Sequence, residues 1–172
     1  NITIGVPVVK SIRKKTDLFL DTHLMIENPE RFVKPFADAG ADLITFHLEA
    51  CRNENHVRDI IKLIKSCGKK AGLSVKPNTN IKEVFPYLND LDLVLIMTVE
   101  PGFGGQEFIH DCALKIPFLY EKTQGNLIIQ VDGGINNITA RICTSLGANS
   151  LVAGSYIFGS GDISISIGKL RK

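Results

Sequence analysis

The chain has 172 residues, a formal net charge of +2, and 44% hydrophobic against 22% charged residues. These values are typical of a globular domain, and so small a net charge argues against a nucleic-acid partner. No apolar run approaches the ~20 residues of a membrane span, and the four scattered cysteines lack metal-binding spacing, so we expect a cytoplasmic protein without a membrane partner.

In the first half of the chain, hydrophobic periodicity predicts alternating helices and strands. The helices are predicted at residues 2–15, 28–40, 57–68 and 80–88, and the strands at 18–25, 43–47 and 73–75. Asn28 followed by Pro29 predicts a helix N-cap and first helical position. Alternation along the first strand places Asp21, His23 and Met25 on one face.

The second half continues the alternation. Strands are predicted at residues 91–97, 127–131 and 150–153, and helices around 113–119, 138–146 and 163–170. In the second of these helices, Ile138, Ile142 and Leu146 form a stripe that we expect to be buried. Strict alternation of strands and helices is typical of βαβ units on a parallel sheet.

Each of the last three strands is followed by glycine. The glycines are Gly102, Gly104 and Gly105 after the first strand, Gly133 and Gly134 after the second, and Gly154 after the third. Glycine loops let backbone N–H groups approach an anion, so these strand ends predict one phosphate site. Such a shared site favours a parallel α/β barrel over a doubly wound open sheet, which concentrates binding at one switch point.

Six strands spaced roughly 27 residues apart give about six βα units, fewer than the eight of a complete barrel.

Several ordered stretches of the sequence resemble the ribulose-phosphate 3-epimerase family. They are residues 1–5, Asp21-Thr22-His23-Leu24-Met25-Ile26-Glu27-Asn28-Pro29, residues 39–42, Met97-Thr98-Val99-Glu100-Pro101-Gly102-Phe103-Gly104-Gly105-Gln106, Val131-Asp132-Gly133-Gly134-Ile135-Asn136 and residues 151–155. The resemblance covers almost the whole chain. It implies a TIM (β/α)8 barrel of the ribulose-phosphate-binding type, with about six βα units present here.

The resemblance also implies an activity: inversion of C3 of D-ribulose 5-phosphate to give D-xylulose 5-phosphate, in the pentose phosphate pathway. Removing the proton beside the ketone leaves an enediolate, whose charge a divalent cation can stabilise. Inversion needs protonation from the opposite face, hence two acid/base carboxyl groups. The family holds one divalent metal ion, which here would be Zn, Fe, Mn or Co, with two histidines and two aspartates.

The resemblance assigns roles to individual residues. His23 would be a metal ligand that also contacts substrate, and Asp132 would be a ligand, a substrate contact and one of the two acid/base residues. Met25 and Met97 would wall the reacting centre. For Asp21, on the same strand face as His23, two interpretations stay open: a residue that holds His23 in place from behind the metal, or an exposed acid at the end of the strand. The remaining substrate and phosphate residues would be Gly102, Phe103, Gly104, Gly105, Gly133, Gly134, Gly154 and Ser155.

One part of the family pattern is missing from this sequence. The other metal-binding histidine and the second catalytic aspartate belong to a His-x-Asp-x-Met-Asp-Gly motif that precedes the segment matching Asn1. We therefore expect residues 1–172 to form a single, N-terminally incomplete barrel domain. Alone, this chain should neither turn over substrate nor hold metal tightly, because one His and one Asp are too few ligands.

Other interpretations stay open at this stage. A D-allulose-6-phosphate 3-epimerase would share nearly the same motifs, and a catalytically incompetent fragment that only binds phosphate would keep the glycine loops. Another phosphosugar barrel, such as a decarboxylase, would share only those loops.

We further expect a small-molecule pentulose phosphate as partner and a homo-oligomer. Of the other histidines, His47 is expected to be a packing residue, and His56 and His110 are expected on helix surfaces.

Overall fold

The structure, a computed structural model, describes residues 2, 4–102 and 104–171. These residues fall into two compact units, one within residues 1–74 and 84–93 and the other within residues 75–83 and 94–172. Among the described residues, no helix is both long and apolar enough to cross a membrane.

Helices and strands alternate along the chain as the sequence predicts. The helices are α1 Val6–Arg13, α2 Glu30–Ala39, α3 Glu54–Ser66, α4 His110–Ala113, α5 Ile116–Thr123, α6 Asn137–Ser145, α7 Ser155–Phe158 and α8 Ile163–Leu170. The strands are β1 Asp21–Leu24, β2 Leu43–His47, β3 Lys70–Val75, β4 Leu93–Met97, β5 Ile128–Asp132 and β6 Ser150–Val152. Two 3₁₀ segments are Leu48–Ala50 and Ile81–Asp90.

In the first unit, β2 lies between β1 and β3, and both pairings are parallel. Thr22 is in register with Ile44, and Ile44 with Ala71. All five residues of β2 are buried, because a strand of a parallel sheet has helices packed on it and both of its faces are covered. The carboxyl ends of β1 and β2 therefore meet at one edge, where His23 and His47 stand.

In the second unit, β5 neighbours β4 and β6, and the β5–β6 pairing is parallel. Val131 is in register with Leu151. The five residues of β4 are buried, as are Ile116 of α5 and Cys143 of α6. The carboxyl edge of this group of strands carries Met97, Asp132 and the loop that follows β6.

Among the described residues, one hydrogen-bond arrangement that joins neighbouring strands occurs three times, and we call it the strand clasp. A residue just before one strand accepts, through its side-chain oxygen, the N–H of a residue at or near the start of the neighbouring strand, and its own N–H donates to the carbonyl of that same residue. The distances are 2.7–2.9 Å for the first bond and 2.9–3.0 Å for the second. The pairs are Asp42 with Leu20, Asp92 with Ala71, and Asn149 with Ile129. Two reciprocal bonds at one position fix the register of neighbouring strands.

The start of α2 differs from its prediction. Pro29, rather than Asn28, is the N-cap, and no side chain caps the helix. Asn28 instead adopts a left-handed conformation with φ of 51°. The reason is steric, because the proline ring disfavours the right-handed helical region for the preceding residue, and Asn tolerates the left-handed one. Gly40 ends this helix with φ of 108°, as predicted.

The second half contains two further differences. The helix predicted around residues 113–119 is divided into α4 and α5, because Pro117 in the first turn of α5 lacks the N–H that would continue α4. In α6 the Ile138 side chain is 66% exposed, so Ile138 does not belong to the buried face of the helix, whereas Ile142 and Leu146 are half-buried. The helix buries Thr139, Ala140 and Cys143 instead, since the Thr139 side chain belongs to the capping box with Asn136.

Candidate active site

Asp132 is the last residue of β5, and its backbone is held by Thr98. The Thr98 N–H donates to the Asp132 carbonyl at 2.8 Å, and the Thr98 hydroxyl lies 3.0 Å from that carbonyl and 2.6 Å from the carbonyl of Gly133. Thr98 is fully buried. These bonds fix the direction in which the Asp132 side chain leaves the strand. Thr98 was not predicted as part of the site, although its position directly after β4 marks it.

The glycine pair after Asp132 is required by the packing of the chain. Gly133 and Gly134 have φ values of 123° and 62°. A Cβ on Gly133 would lie 2.5 Å from a Val99 methyl group, and one on Gly134 would lie 2.7 Å from the Phe108 nitrogen. Both positions therefore exclude a side chain, and the loop after β5 lies close against the loop after β4.

The other predicted phosphate glycines face open space. An added Cβ at Gly102, Gly104, Gly105 or Gly154 would meet no described atom within 4 Å. Gly102 and Gly105 also have positive φ values, so they need to be glycine for their conformation. Open space beside exposed backbone leaves room for a bound group at these loops. Phe103, predicted with them, lies outside the described residues.

A cavity of about 630 Å³ lies within the second unit, among the loops after β4, β5 and β6. Its volume is in the range that holds a small-molecule ligand. It is lined by Gly105, Gln106, Glu107, Phe108, His110, Gly134, Ile135, Asn136, Ser155 and Tyr156. The structure thus brings three of the predicted phosphate residues, Gly105, Gly134 and Ser155, to one cavity.

Two histidines face each other at the carboxyl edge of the first unit. The Nε2 atoms of His23 and His47 are 2.8 Å apart, and their ring planes are inclined by 30° with centroids 4.8 Å apart. Burial, and secondly the neighbouring His47, lower the pKa of His23 from 6.5 to about 3. His23 is therefore neutral near pH 7, the state in which an imidazole binds a metal.

The other two histidines and the two methionines differ in how far they are buried. His56 was predicted on a helix surface but is buried, because its Nδ1 accepts the N–H of Arg52 and its Nε2 lies 3.4 Å from Glu30. His110 is exposed, as predicted, and also lines the cavity. Met97 is buried at the end of β4, whereas Met25, just after β1, is 42% exposed.

Asp21 is exposed and opens β1, in register with Leu43. Its proposed assistance to His23 stays a prediction.

Metal binding was tested against the positions of the possible ligands. Within residues 2, 4–102 and 104–171, no group of three or more His, Cys, Asp or Glu side chains is placed to hold a metal ion. His23 and Asp132 have the donor chemistry that a divalent metal takes, a neutral imidazole and a carboxylate. The described residues alone, however, do not make up a complete metal site.

Sequence comparison gives a family for the chain. A family model described as the ribulose-phosphate 3 epimerase family matches residues 1–158. The chain is 47% identical to the ribulose-phosphate 3-epimerase of Bacillus subtilis over 175 residues, covering 99% of this chain and 79% of the relative. It is 46% identical over 175 residues to the cytoplasmic isoform of the same enzyme from Oryza sativa, covering 100% and 75% of the two chains.

Comparison with solved structures shows the fold. The 3-hexulose-6-phosphate synthase of Salmonella typhimurium matches with a TM-score of 0.71 at 21% identity, covering 96% of this chain and 77% of that one. The 3-keto-L-gulonate-6-phosphate decarboxylase of Vibrio cholerae matches with a TM-score of 0.73 at 12% identity, with the same coverage of 96% and 77%. The predicted fold, of the TIM (β/α)8 barrel type, is confirmed.

Proposed function

The chain belongs to the ribulose-phosphate 3-epimerase family and is an epimerase, and we propose that it inverts C3 of D-ribulose 5-phosphate with Asp132 as one of two acid/base residues. The relatives named above carry that enzyme's name over nearly the full length of this chain. D-xylulose 5-phosphate is the product. The reaction belongs to the pentose phosphate pathway.

The observation that carries the role of Asp132 is its position. The residue ends β5, its backbone is held by Thr98, and the loop that follows it contributes Gly134 to the cavity wall. In TIM-barrel enzymes the catalytic side chains stand at the carboxyl ends of strands. A carboxylate on a rigid strand end meets the requirement for a general base, which must be held within hydrogen-bond reach of the proton it removes.

The proton transfers follow from this placement. The Asp132 carboxylate takes the C3 proton, the C3–H electron pair forms the C2–C3 double bond, and the negative charge moves to the oxygen on C2. Proton return to the opposite face of C3, from a second acid, completes the inversion. Run from the product side, Asp132 delivers a proton to C3, so the same group acts as base in one direction and as acid in the other.

The phosphate group is proposed to bind in the cavity of the second unit. Gly105, Gly134 and Ser155 line it, and Gly102, Gly104 and Gly154 belong to the same strand-end loops. Backbone N–H groups of glycine loops can surround an anion without interference from Cβ atoms. Phe103 and Gly133 are proposed to lie beside the sugar, and the apolar Met97 and Met25 are proposed to keep water from the reacting carbon.

We also propose that His23 and Asp132 are two of the ligands of a divalent metal ion. Such an ion, which the resemblance to the family implies, would supply positive charge where the enediolate oxygen develops. Titration of the 172-residue chain with Zn²⁺ or Mn²⁺, followed by calorimetry, tests the ligand assignment. We expect weak binding that His23→Gln abolishes. Tight stoichiometric binding that survives this change would contradict the assignment.

The assay for the activity follows deuterium. Full-length protein is incubated with ribulose 5-phosphate in D2O, and xylulose 5-phosphate and the deuterium on its C3 are measured by NMR. Asp132→Asn should lower kcat by about 10²–10⁴, the usual contribution of a positioned acid/base group. Asp38→Asn is the matched control, since Asp38 is an exposed carboxylate of the first unit that forms a surface ion pair with Lys34. Unchanged turnover in Asp132→Asn would overturn the assignment.

A second substrate is retained because a hexulose phosphate presents the same reacting carbon. Under this alternative the enzyme is a D-allulose-6-phosphate 3-epimerase. Comparison of kcat/KM for the two sugar phosphates, with one protein preparation, decides between them. We expect the pentulose phosphate to be preferred, in keeping with the names of the relatives.

The cytoplasm is the proposed location, as the name of the rice relative suggests for that protein. A homo-oligomer and a single domain for residues 1–172 stay predictions; analytical ultracentrifugation addresses the first, and the number of unfolding transitions the second.

A further inference from the structure

The histidine pair of the first unit continues into a third group. The Nδ1 atom of His47 lies 3.4 Å from Oε2 of Glu49, on the side of the ring away from His23. His47 is 5% exposed, and Glu49 stands in the 3₁₀ turn Leu48–Ala50 directly after β2. The order Glu49, His47, His23 therefore runs from the end of β2 to the adjacent β1.

We infer that Glu49 and His47 are positioning residues that fix the tautomer of His23, with the proton on Nε2 and the lone pair on Nδ1. The functional part of this inference rests on the proposed role of His23 in binding metal and substrate. The tautomer itself follows from the geometry of the three side chains.

The first step concerns the two facing nitrogens. At 2.8 Å, the His23 and His47 Nε2 atoms are at ordinary hydrogen-bond distance. Two bare lone pairs would repel at this separation, and two N–H groups would place their hydrogens against each other. One proton therefore lies between the rings, and one histidine donates while the other accepts.

The second step decides which ring donates. The Glu49 carboxylate is an acceptor, and beside His47 Nδ1 it stabilises a proton on that nitrogen. The separation of 3.4 Å is long for a hydrogen bond, but a charge acts over this distance on a ring that is almost completely buried. With Nδ1 protonated, neutral His47 presents a lone pair at Nε2. His23 must then donate through its own Nε2.

The consequence concerns what His23 can offer to a ligand. A neutral imidazole binds a metal, or accepts a hydrogen bond, only through the nitrogen without a proton. The Glu49–His47 pair keeps the proton of His23 on Nε2, so that Nδ1 of His23 carries the lone pair that a metal or a hydrogen-bond donor needs. Carboxylates orient metal-binding histidines elsewhere in a similar way. Without the Glu49–His47 pair, both tautomers of His23 would be populated, and a smaller fraction of the molecules would have Nδ1 without a proton.

The test reads the tautomer directly. Full-length protein with ¹⁵N-labelled histidine is examined without added metal at pH 8, above the ordinary histidine pKa of about 6.5. Long-range ¹H–¹⁵N correlation spectra distinguish protonated from bare ring nitrogens, and His23→Gln and His47→Gln assign the signals. We expect the proton of His23 on Nε2 and that of His47 on Nδ1. A His23 proton on Nδ1, or a doubly protonated His47, would overturn the inference.

Variants at Glu49 test whether this carboxylate sets the tautomers of His47 and His23. Glu49→Ala should shift the tautomer ratio of both histidines roughly tenfold, since it removes the negative charge that favours a proton on His47 Nδ1. Glu49→Gln keeps an acceptor oxygen and should restore part of the ratio. Glu121→Ala, an exposed position of α5, should leave the ratio unchanged. An unaltered ratio in Glu49→Ala would show that Glu49 does not set it.

The inference about the tautomer and the proposed epimerase activity can be refuted independently of each other. Expected spectra in a protein without epimerase turnover would support the positioning role and count against the proposed function. Normal turnover with the proton of His23 on Nδ1 would support the proposed function and refute the positioning role of Glu49 and His47.

Discussion

The glycine at position 134 offers a sharp test of how the two loops of the second unit pack. In Gly134→Ala the new Cβ would lie 2.7 Å from the nitrogen and 2.8 Å from the Cα of Phe108. Both are backbone atoms, so no rotamer change can relieve the contact. Overpacking of this kind costs about 1–3 kcal/mol, and the left-handed backbone, with φ of 62°, adds about 1–2 kcal/mol for any residue with a side chain.

Gly105→Ala separates these two contributions. Gly105 has a similar φ of 78°, but a Cβ there meets no described atom within 4 Å. We expect Gly105→Ala to lower the free energy of unfolding by about 1–2 kcal/mol and Gly134→Ala by about 2–5 kcal/mol. Urea unfolding of the full-length proteins, followed by circular dichroism, measures both. Equal losses would refute the packing argument.

The two variants should also differ in function. Gly105 lines the cavity, and a Cβ added there would project into open space. Gly105→Ala should therefore leave the protein folded but raise its KM for the sugar phosphate. A KM unchanged by Gly105→Ala would remove that loop from the phosphate site.

Three further changes have defined outcomes. Thr98→Val removes the buried hydroxyl that hydrogen-bonds the carbonyls at the end of β5, and should cost about 1–3 kcal/mol in urea unfolding. Asp92→Ala removes the acceptor of a strand clasp and should cost about 1.5–3 kcal/mol, whereas Lys65→Met, which removes only the half-exposed ion pair, should cost at most about 1 kcal/mol. Cys143 is fully buried, which raises the pKa of its thiol from 9.0 to about 11; the unfolded chain therefore loses this proton first, and stability should fall between pH 9 and pH 11, less steeply in Cys143→Ala.

Much of the fold was accessible from the sequence because its helices and strands are strongly periodic. The strand Leu43–His47 and the helix Ile163–Leu170 have the predicted bounds. The errors arise where local sequence competes with packing. Pro117 divides a helix whose apolar spacing was continuous, and Ile138 lies on the exposed face because the capping box turns Thr139 inward.

The candidate site was likewise predictable from the sequence only in part. Its glycines and Asp132 belong to short contiguous motifs, so the sequence alone could propose them. The contact between His23 and His47 joins residues 24 positions apart, and periodicity within either strand contains no information about the neighbouring strand. The signal was nevertheless present, because His23 and His47 each lie within one residue of the carboxyl end of a strand, and the two strands are neighbours.

The strand clasp has a consequence for engineering. Because the clasp between Asn149 and Ile129 lies at the amino ends of β5 and β6, it involves none of the atoms at the carboxyl edge of the second unit, where the cavity and Asp132 are found. Exchange of the loops at this carboxyl edge is accordingly expected to leave the register of β5 and β6 unchanged. An engineered strand placed beside β6 could be aligned in the same way, by an acidic or amide side chain just ahead of it.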